Sequence, residues 1–483
     1  MPHIIMNGQT TFNFEESAAL LSRTRTSSTE LLTGLPQAPF VLPITRPIHY
    51  LGSKLRIVDS VRELVDKVDP FHGPVCDLFS GSGTVSLALS DSRTVTAVDA
   101  QEYSRVLCSA LLHPARLTKE ALDLYLEKAC WSEHARRLSW AIEPMVAHEA
   151  RCRQDAEAGR VEPLCELLEN ASLILFEQNP KRIEDPTLSL AMTETVSRMH
   201  EAELSRMRSG LVMRYFGGIY FSYLQASQLD MFLEGVGSLP RSARNTVVAA
   251  ILSTASDLVN TVGKQFAQPI RPRSSDGSPK PGLAERVARD RDADAIAVFG
   301  KWVVRYLALP PSEKRHRVWR CDYREALNKL KGKVSVVYAD PPYTRDHYSR
   351  FYHVLETLCL RDFPAVSTVR INNADLMSRG VYRAQRYQSP FCVKSKAPEA
   401  FSALFSGVRR LGVPLILSYS PYKKETGARP RLVSIKELVE LAQKSFRSVE
   451  AITPARMSHS KLNRVEKNKP VTYVAETFLV CEP

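Results

Sequence analysis

The chain reads as a doubly wound α/β fold of the Rossmann-like type, interrupted by a large, mainly helical insertion. Three stretches predict this. Pro74-Val-Cys-Asp77-Leu-Phe79-Ser80-Gly81-Ser-Gly83-Thr84 runs from a short apolar strand through a glycine turn into an apolar helix. Thr94-Val-Thr-Ala-Val98 is a second strand and stops at Asp99. Val334-Ser-Val-Val-Tyr-Ala-Asp340-Pro-Pro-Tyr343 is a third, preceded by Lys331-Gly332-Lys333 and ended by two prolines that cannot continue a strand. Such runs suit strands buried in a parallel sheet, where ligands bind at the carboxyl ends.

At 483 residues the chain exceeds one ordinary domain and can bury a large core. No apolar run approaches the roughly 20 residues that span a bilayer, so no membrane partner is expected. The amino terminus lacks the basic-then-apolar layout of a signal peptide, which places the protein in the cytoplasm. Nine cysteines, an odd number without a C-x-x-C pair, argue for reduced thiols and against a zinc site. A formal net charge of +13 fits a polyanionic partner without identifying one.

In chain order, residues 1–40 are polar and Ser/Thr-rich with Arg23-Thr-Arg25, and read as a flexible arm. Ile48-His-Tyr50-Leu-Gly52-Ser-Lys54 then leads into a helix whose apolar Leu55, Val58, Val61, Leu64 and Val65 recur at helical spacing. A glycine and a lysine before a helix can offer backbone N–H groups and a cation to a carboxylate. In the glycine turn, Gly81 and Gly83 let backbone approach a ligand closely. Asp99, ending the second strand, can accept both hydroxyls of a ribose. The glycine spacing is not G-x-G-x-x-G, so a nucleoside without a pyrophosphate fits better than a dinucleotide.

Asp340-Pro341-Pro342-Tyr343 suits one chemical task. An exocyclic amine on a nucleobase is a poor nucleophile because its lone pair is delocalised into the ring. If Asp340 and the Pro341 carbonyl accept its two N–H bonds, the nitrogen is drawn toward tetrahedral geometry and the lone pair is freed. Tyr343 can stack on the same base, and the prolines hold both groups rigidly.

Taken together, Tyr50-Leu-Gly-Ser-Lys54, Asp77-Leu-Phe-Ser-Gly-Ser-Gly83, Asp99 and Asp340-Pro-Pro-Tyr343 resemble, in this order, the Dam-like class of DNA adenine-N6 methyltransferases. The resemblance implies a methyltransferase core over residues 41–110 and 316–483, with 111–315 as the insertion that recognises the DNA target. It implies S-adenosyl-L-methionine as cofactor and double-stranded DNA as substrate. It places Tyr50, Gly52, Lys54, Asp77, Phe79, Gly81, Gly83, Asp99, Asp322 and Asp340 around the cofactor. Lys54 and Gly52 would lie at its methionine end, with Asp77 and Phe79 beside them. Asp99 would take the ribose, and Asp322 the adenine amino group. Asp340, Pro341, Pro342 and Tyr343 would form the catalytic set, with no metal.

Residues 111–315 carry helical stretches at 119–128, 133–153, 193–207 and 243–260 without strand-like alternation. The aromatic run Tyr215-Phe-Gly-Gly-Ile-Tyr-Phe-Ser-Tyr223 reads as a buried cluster in preference to a DNA-facing loop. Residues 264–282, with Lys264, Arg271 and Arg273 among turn formers, read as a flexible segment able to order against phosphates, or as a plain linker. Arg345 and Arg350, just past Tyr343, are further candidates for phosphates flanking an extruded base. Residues 414–420 form another strand, and runs at 448–453 and 471–480 predict a closing antiparallel hairpin.

Two alternatives stay open. One is the same chemistry on another amine: RNA adenine, cytosine N4 or a protein amide. Asp340, in place of the Ser or Asn usual for the last two, favours adenine. The other is a DNA-binding subunit without turnover. The sequence leaves open the target site, the oligomeric state, and whether a restriction or defence-system partner exists.

Overall fold

The computed structural model describes residues 46–454 and 476–483, apart from 53, 206, 372–373 and 421–430. The predicted arm over 1–40 and the start of the last predicted run, 471–475, lie outside the described residues. The three predicted strands, β1 (Val75–Asp77), β2 (Val95–Asp99) and β4 (Val336–Ala339), stand side by side. With β3 (Arg317–Arg320), β7 (Leu415–Tyr419), β8 (Ser448–Ile452) and β9 (Thr477–Glu482) they form a sheet of order β3-β2-β1-β4-β7-β9-β8. The first five are mutually parallel, and β9 runs antiparallel between β7 and β8. The chain direction across the sheet reverses between β1 and β4, which makes their carboxyl ends the switch point where α/β sheets hold ligands.

Helices cover both faces. On one, α1 (Val58–Val68) turns Val61, Leu64 and Val65 inward beside α2 (Thr84–Ser90). The fully buried Arg93 ties the end of α1 to the start of β2, with Nη1 2.6 Å from Asp69 and Nη2 2.7 Å from Asp66. Next comes α3 (Glu102–Leu112), packed beside α2.

The insertion is mainly helical, with a non-helical stretch over 259–282. It comprises α4 (Lys119–Cys130), α5 (Glu133–Glu157), α6 (Glu162–Asn170), α7 (Leu173–Gln178), α8 (Pro186–Glu201), α9 (Leu211–Phe216), α10 (Tyr223–Gly235), α11 (Arg241–Leu258), α12 (Leu283–Arg291) and α13 (Ala295–Leu307). Local signals start several of these: Ser132, Asp185 and Asp294 cap α5, α8 and α13, and Ser222 with Gln225 forms a capping box on α10. The core half resumes with α14 (Tyr323–Lys329), α15 (Tyr348–Phe351), α16 (His353–Leu360), α17 (Ala397–Leu411) and α18 (Ile435–Gln443). The second face of the sheet is packed by α14, α17 and α18. A separate antiparallel hairpin pairs β5 (Thr368–Ile371) with β6 (Ala374–Met377).

The insertion is not an independent lobe. Its apolar side chains share one continuous core with α3 and with Val354, Leu355 and Leu358 of α16. The aromatic run at 215–223 lies inside that core: Phe216 and Tyr220 pack against His353, and Tyr220 against Phe266. Residues 264–282, read from sequence as flexible, are held. Phe266 is buried, Arg273 and Pro279 form a bridge, and Arg273 Nε and Nη2 lie 3.0 and 2.9 Å from Glu169 and Glu166. The charges there were paired by a helix distant in sequence, which local composition cannot reveal. No helix of the described residues is long and apolar enough to cross a membrane.

Candidate active site

The strand register sets the site. Asp77 pairs with Ala97 on one side and Tyr338 on the other. Asp99 and Asp340 each lie two residues further on, so both flank the end of β1 at the same level. Between them the chain leaves β1 through the glycine turn. Gly81 and Gly83 have φ of 52° and 79°, a region that favours glycine, and Gly83 caps α2. A Cβ on Gly81 would stand 2.6 Å from Tyr50 Oη. The Asp99 carboxylate orders this turn, accepting from Gly81 N at 3.0 Å and from Gln101 N at 2.9 Å. Burial raises its pKa, against the pull of those backbone bonds. Asp77 accepts from Ser86 Oγ at 2.6 Å, and burial pushes its pKa up to about 7 despite that bond.

Lys54 reaches in from the other side. Its buried Nζ lies 3.0 Å from Asp340 Oδ1 and 3.3 Å from Glu476 Oε1. Burial opposes the Lys54 charge, but the two carboxylates win and hold its pKa well above the ordinary value. The Asp340 pKa is pushed up to about 6 by burial and by Glu476, with Lys54 opposing. Glu476, just before β9, also accepts from Ser418 Oγ of β7 at 2.7 Å. Tyr343 packs against Tyr419, with ring centroids 4.9 Å apart, and the Arg431 guanidinium lies 4.8 Å over its ring. Arg431 is itself bonded to the carbonyl and hydroxyl of Ser420.

Tyr348 of α15 and Tyr352, between α15 and α16, lock the Lys54 loop in place. Leu51 N donates to Tyr352 Oη at 2.6 Å, and Tyr348 Oη donates to Leu51 O at 3.2 Å. Tyr50 stacks on Tyr352 with centroids 5.0 Å apart and planes 10° from parallel. Gly52 has φ 72°, close to the Tyr348 hydroxyl.

A cleft opens between these parts, lined by Tyr50, Phe79, Asp99, Tyr323, Asp340 and Pro342 among others. It has an aromatic wall, with Phe79 5.9 Å from Tyr323, and the carboxylates of Asp99 and Asp340 in its lining. Gln101, also in its lining, has a buried Nε2 with no partner. An elongated nucleoside-bearing cation fits this set. The Phe79–Tyr323 wall would hold its ring, Asp99 would hold its hydroxyls, and the Gln101 amide would offer it a donor.

The structure therefore brings together Tyr50, Gly52, Lys54, Asp77, Phe79, Gly81, Gly83, Asp99, Asp340, Pro342 and Tyr343. Asp322 sits nearby but is already engaged. It caps α14 by accepting from Arg324 N at 2.9 Å, and it accepts from Tyr387 Oη at 2.7 Å. Of the predicted phosphate contacts, Arg345, Arg350 and Arg271 are exposed. Lys264 is not free: its Nζ lies 3.0 Å from Asp290 Oδ1 and donates to Asp257 O at 2.7 Å. Arg273 is held by Glu162, Glu166 and Glu169. We assign Lys264 and Arg273 to structure, because a phosphate would have to displace carboxylates already in contact. Tyr419 ends the strand expected over 414–420. Glu476, just before β9, and Arg431, between β7 and α18, are not among the residues the sequence singles out.

Residues 50–136 and 313–396 match the family described as D12 class N6 adenine-specific DNA methyltransferase. The two blocks carry the Lys54 loop, the glycine turn, Asp99 and the Asp340 motif, and bracket most of the insertion. Modification methylase LlaI of Lactococcus lactis subsp. lactis is 22% identical over 402 residues, which are 82% of this chain and 49% of that protein. The chain thus spans about half the length of this curated relative. No solved structure matches.

Proposed function

We propose, for a chain whose residues 50–136 and 313–396 match the D12 class of N6 adenine-specific DNA methyltransferases, that it methylates the N6 amine of adenine in duplex DNA. The observation that carries this is Asp340, held at the switch point of the sheet between Lys54 and the rigid Pro341-Pro342-Tyr343 turn. S-adenosylmethionine, which methyltransferases of this class use, supplies a methyl carbon made electrophilic by its sulfonium.

The chain's own residues do the rest by positioning and electrostatics. A target adenine must leave the duplex stack to reach the cleft. Tyr343 receives its face, braced by Tyr419. Asp340 and the Pro341 carbonyl accept the two N6 hydrogens, so lone-pair density returns to nitrogen. Lys54 keeps Asp340 ionised despite burial, and Glu476 shares that lysine so that it does not neutralise Asp340 alone. Asp340 can then take the proton that N6 sheds.

The cofactor residues are Tyr50, Gly52, Lys54, Asp77, Phe79, Gly81, Gly83 and Asp99. Asp322 is a positioning residue through Tyr387. Arg345 and Arg350 face the DNA. The likeness to a modification methylase supports a role in protecting DNA within a restriction–modification system. An aspartate before Pro-Pro favours adenine over cytosine N4 or an amide.

The test is nucleoside mass spectrometry of unmethylated DNA incubated with the protein and S-adenosylmethionine, beside an Asp340→Ala control. N6-methyladenine absent from the control is the expected result. Methylation of cytosine N4, or of RNA alone, would overturn the substrate assignment. Methylation that persists in Asp340→Ala would overturn the mechanism.

A further inference from the structure

We propose that Arg350, Tyr382 and Arg386 form a clamp for the DNA backbone beside the catalytic cleft. This deepens, and rests on, the reading of the protein as a DNA methyltransferase. The guanidinium carbons of Arg350 and Arg386 lie 4.7 Å and 5.5 Å from the centroid of the Tyr382 ring. Two cations that share one ring repel each other: Arg386 has its pKa lowered by burial and then by Arg350. Among the described residues neither pairs with a carboxylate. Arg350 Nη2 donates only to Tyr382 Oη, at 3.3 Å, and the buried Nη1 of Arg386 has no partner. His347, whose proton affinity Arg386 also depresses after burial, has a buried Nδ1 without a partner.

The neighbouring arginines behave differently. Arg383 pairs with Asp362, and Arg379 donates to the carbonyls of Leu168 and Ile270. Elsewhere the surface is rich in matched ion pairs. Cations gathered without counterions mark a place where the anion comes from outside.

Position identifies that anion. Tyr348 and Ser349, just before Arg350, and Tyr387, just after Arg386, line the cleft that reaches Asp340. A base drawn in to Tyr343 leaves its flanking phosphates at the mouth of this cleft. A guanidinium fork matches phosphate oxygens in two parallel hydrogen bonds. Tyr382 is held firmly enough to aim both forks. Its hydroxyl donates to Ala267 O, its ring packs 5.0 Å from His353, and Gly380 lacks the Cβ that would strike it.

The test measures affinity of the full chain for a fluorescent random-sequence duplex as a function of salt. The proteins are wild type, Arg350→Gln, Arg386→Gln and Arg386→Lys, each also titrated with S-adenosylmethionine by calorimetry. Each Gln variant should weaken DNA binding several-fold and reduce the slope of log affinity against log salt by about 1. Arg386→Lys, which keeps the charge, should retain the slope. Cofactor affinity should stay at the wild-type value in all of them. Unchanged slopes in both Gln variants would overturn the clamp. So would equal losses in Arg386→Lys and Arg386→Gln, or loss of cofactor binding in Arg386→Gln, either of which makes Arg386 a packing residue. Wild-type protein that binds cofactor but no duplex DNA would overturn the functional reading itself.

Discussion

The buried Lys54 and the half-buried Asp340 form an ion pair with Nζ 3.0 Å from Oδ1, although the whole helical insertion separates them in sequence. The pair controls the charge state of the residue that must accept hydrogens from the substrate amine.

Activity should therefore fall with acid. Burial and Glu476 raise the Asp340 pKa to about 6 against Lys54. The competent carboxylate is present above that value and is lost as pH drops through it. A single-turnover pH profile should show an acid limb near 6, and Asp340→Asn should lose at least about 100-fold in rate at every pH. A limb at the ordinary carboxylate position near 4 would contradict the ion pair.

Replacing the two partners should move that limb in opposite directions. Glu476→Gln removes a charge that raises the Asp340 pKa, so the limb should shift to lower pH. Lys54→Met removes the charge that lowers it, so the limb should rise and activity at neutral pH should drop. Leaving the buried Glu476 and the half-buried Asp340 without their cation should also cost roughly 3 kcal/mol of stability. Denaturant titration would measure that cost. Shifts of the same sign in both variants would refute the shared-lysine arrangement.

Cofactor affinity should depend on the glycine turn and on Asp99 separately from chemistry. Gly81→Ala places a Cβ 2.6 Å from Tyr50 Oη at a φ of 52°, so the turn must distort. Asp99→Ala strands the N–H groups of Gly81 and Gln101. Each should weaken S-adenosylmethionine binding roughly 10- to 100-fold, the size of lost charged hydrogen bonds. Calorimetry reads this directly, and wild-type affinity in Asp99→Ala would remove Asp99 from the site.

Arg273→Ala should leave the salt dependence of DNA binding unchanged and lower stability. The side chain bridges three glutamates of α6, and its loss leaves them facing one another. A cost on the order of 1–3 kcal/mol is expected for a charged hydrogen-bond cluster. A reduced salt slope would instead return Arg273 to the DNA-binding surface.

Much of the core was legible because its signals are local. β1 and β4 announce themselves as short apolar runs closed by a glycine turn and by prolines, and β2 as an apolar run ending in Asp99. Gly81, Gly83, Asp99 and Asp340 sit at their ends, where a parallel sheet must place its ligands. The predicted closing hairpin appears as β8 and β9, since strand composition and order suffice to place it. The predicted aromatic cluster at 215–223 is buried, as its composition required.

What the sequence by itself determined was the set of groups at the strand ends, because backbone preferences and apolar runs act over a few residues. Only the tertiary structure decided which charges are spent and which are free. Lys264 and Arg273 looked available in a loop rich in turn formers, and carboxylates on α12 and α6 claim them. Glu476 carried no local mark, and β9 brings it to Lys54 beside β7. Arg386 looks like any other arginine of its segment until packing leaves it beside Arg350 without a counterion. Coulomb interactions depend on distance in space and on burial, and neither is written in the order of residues.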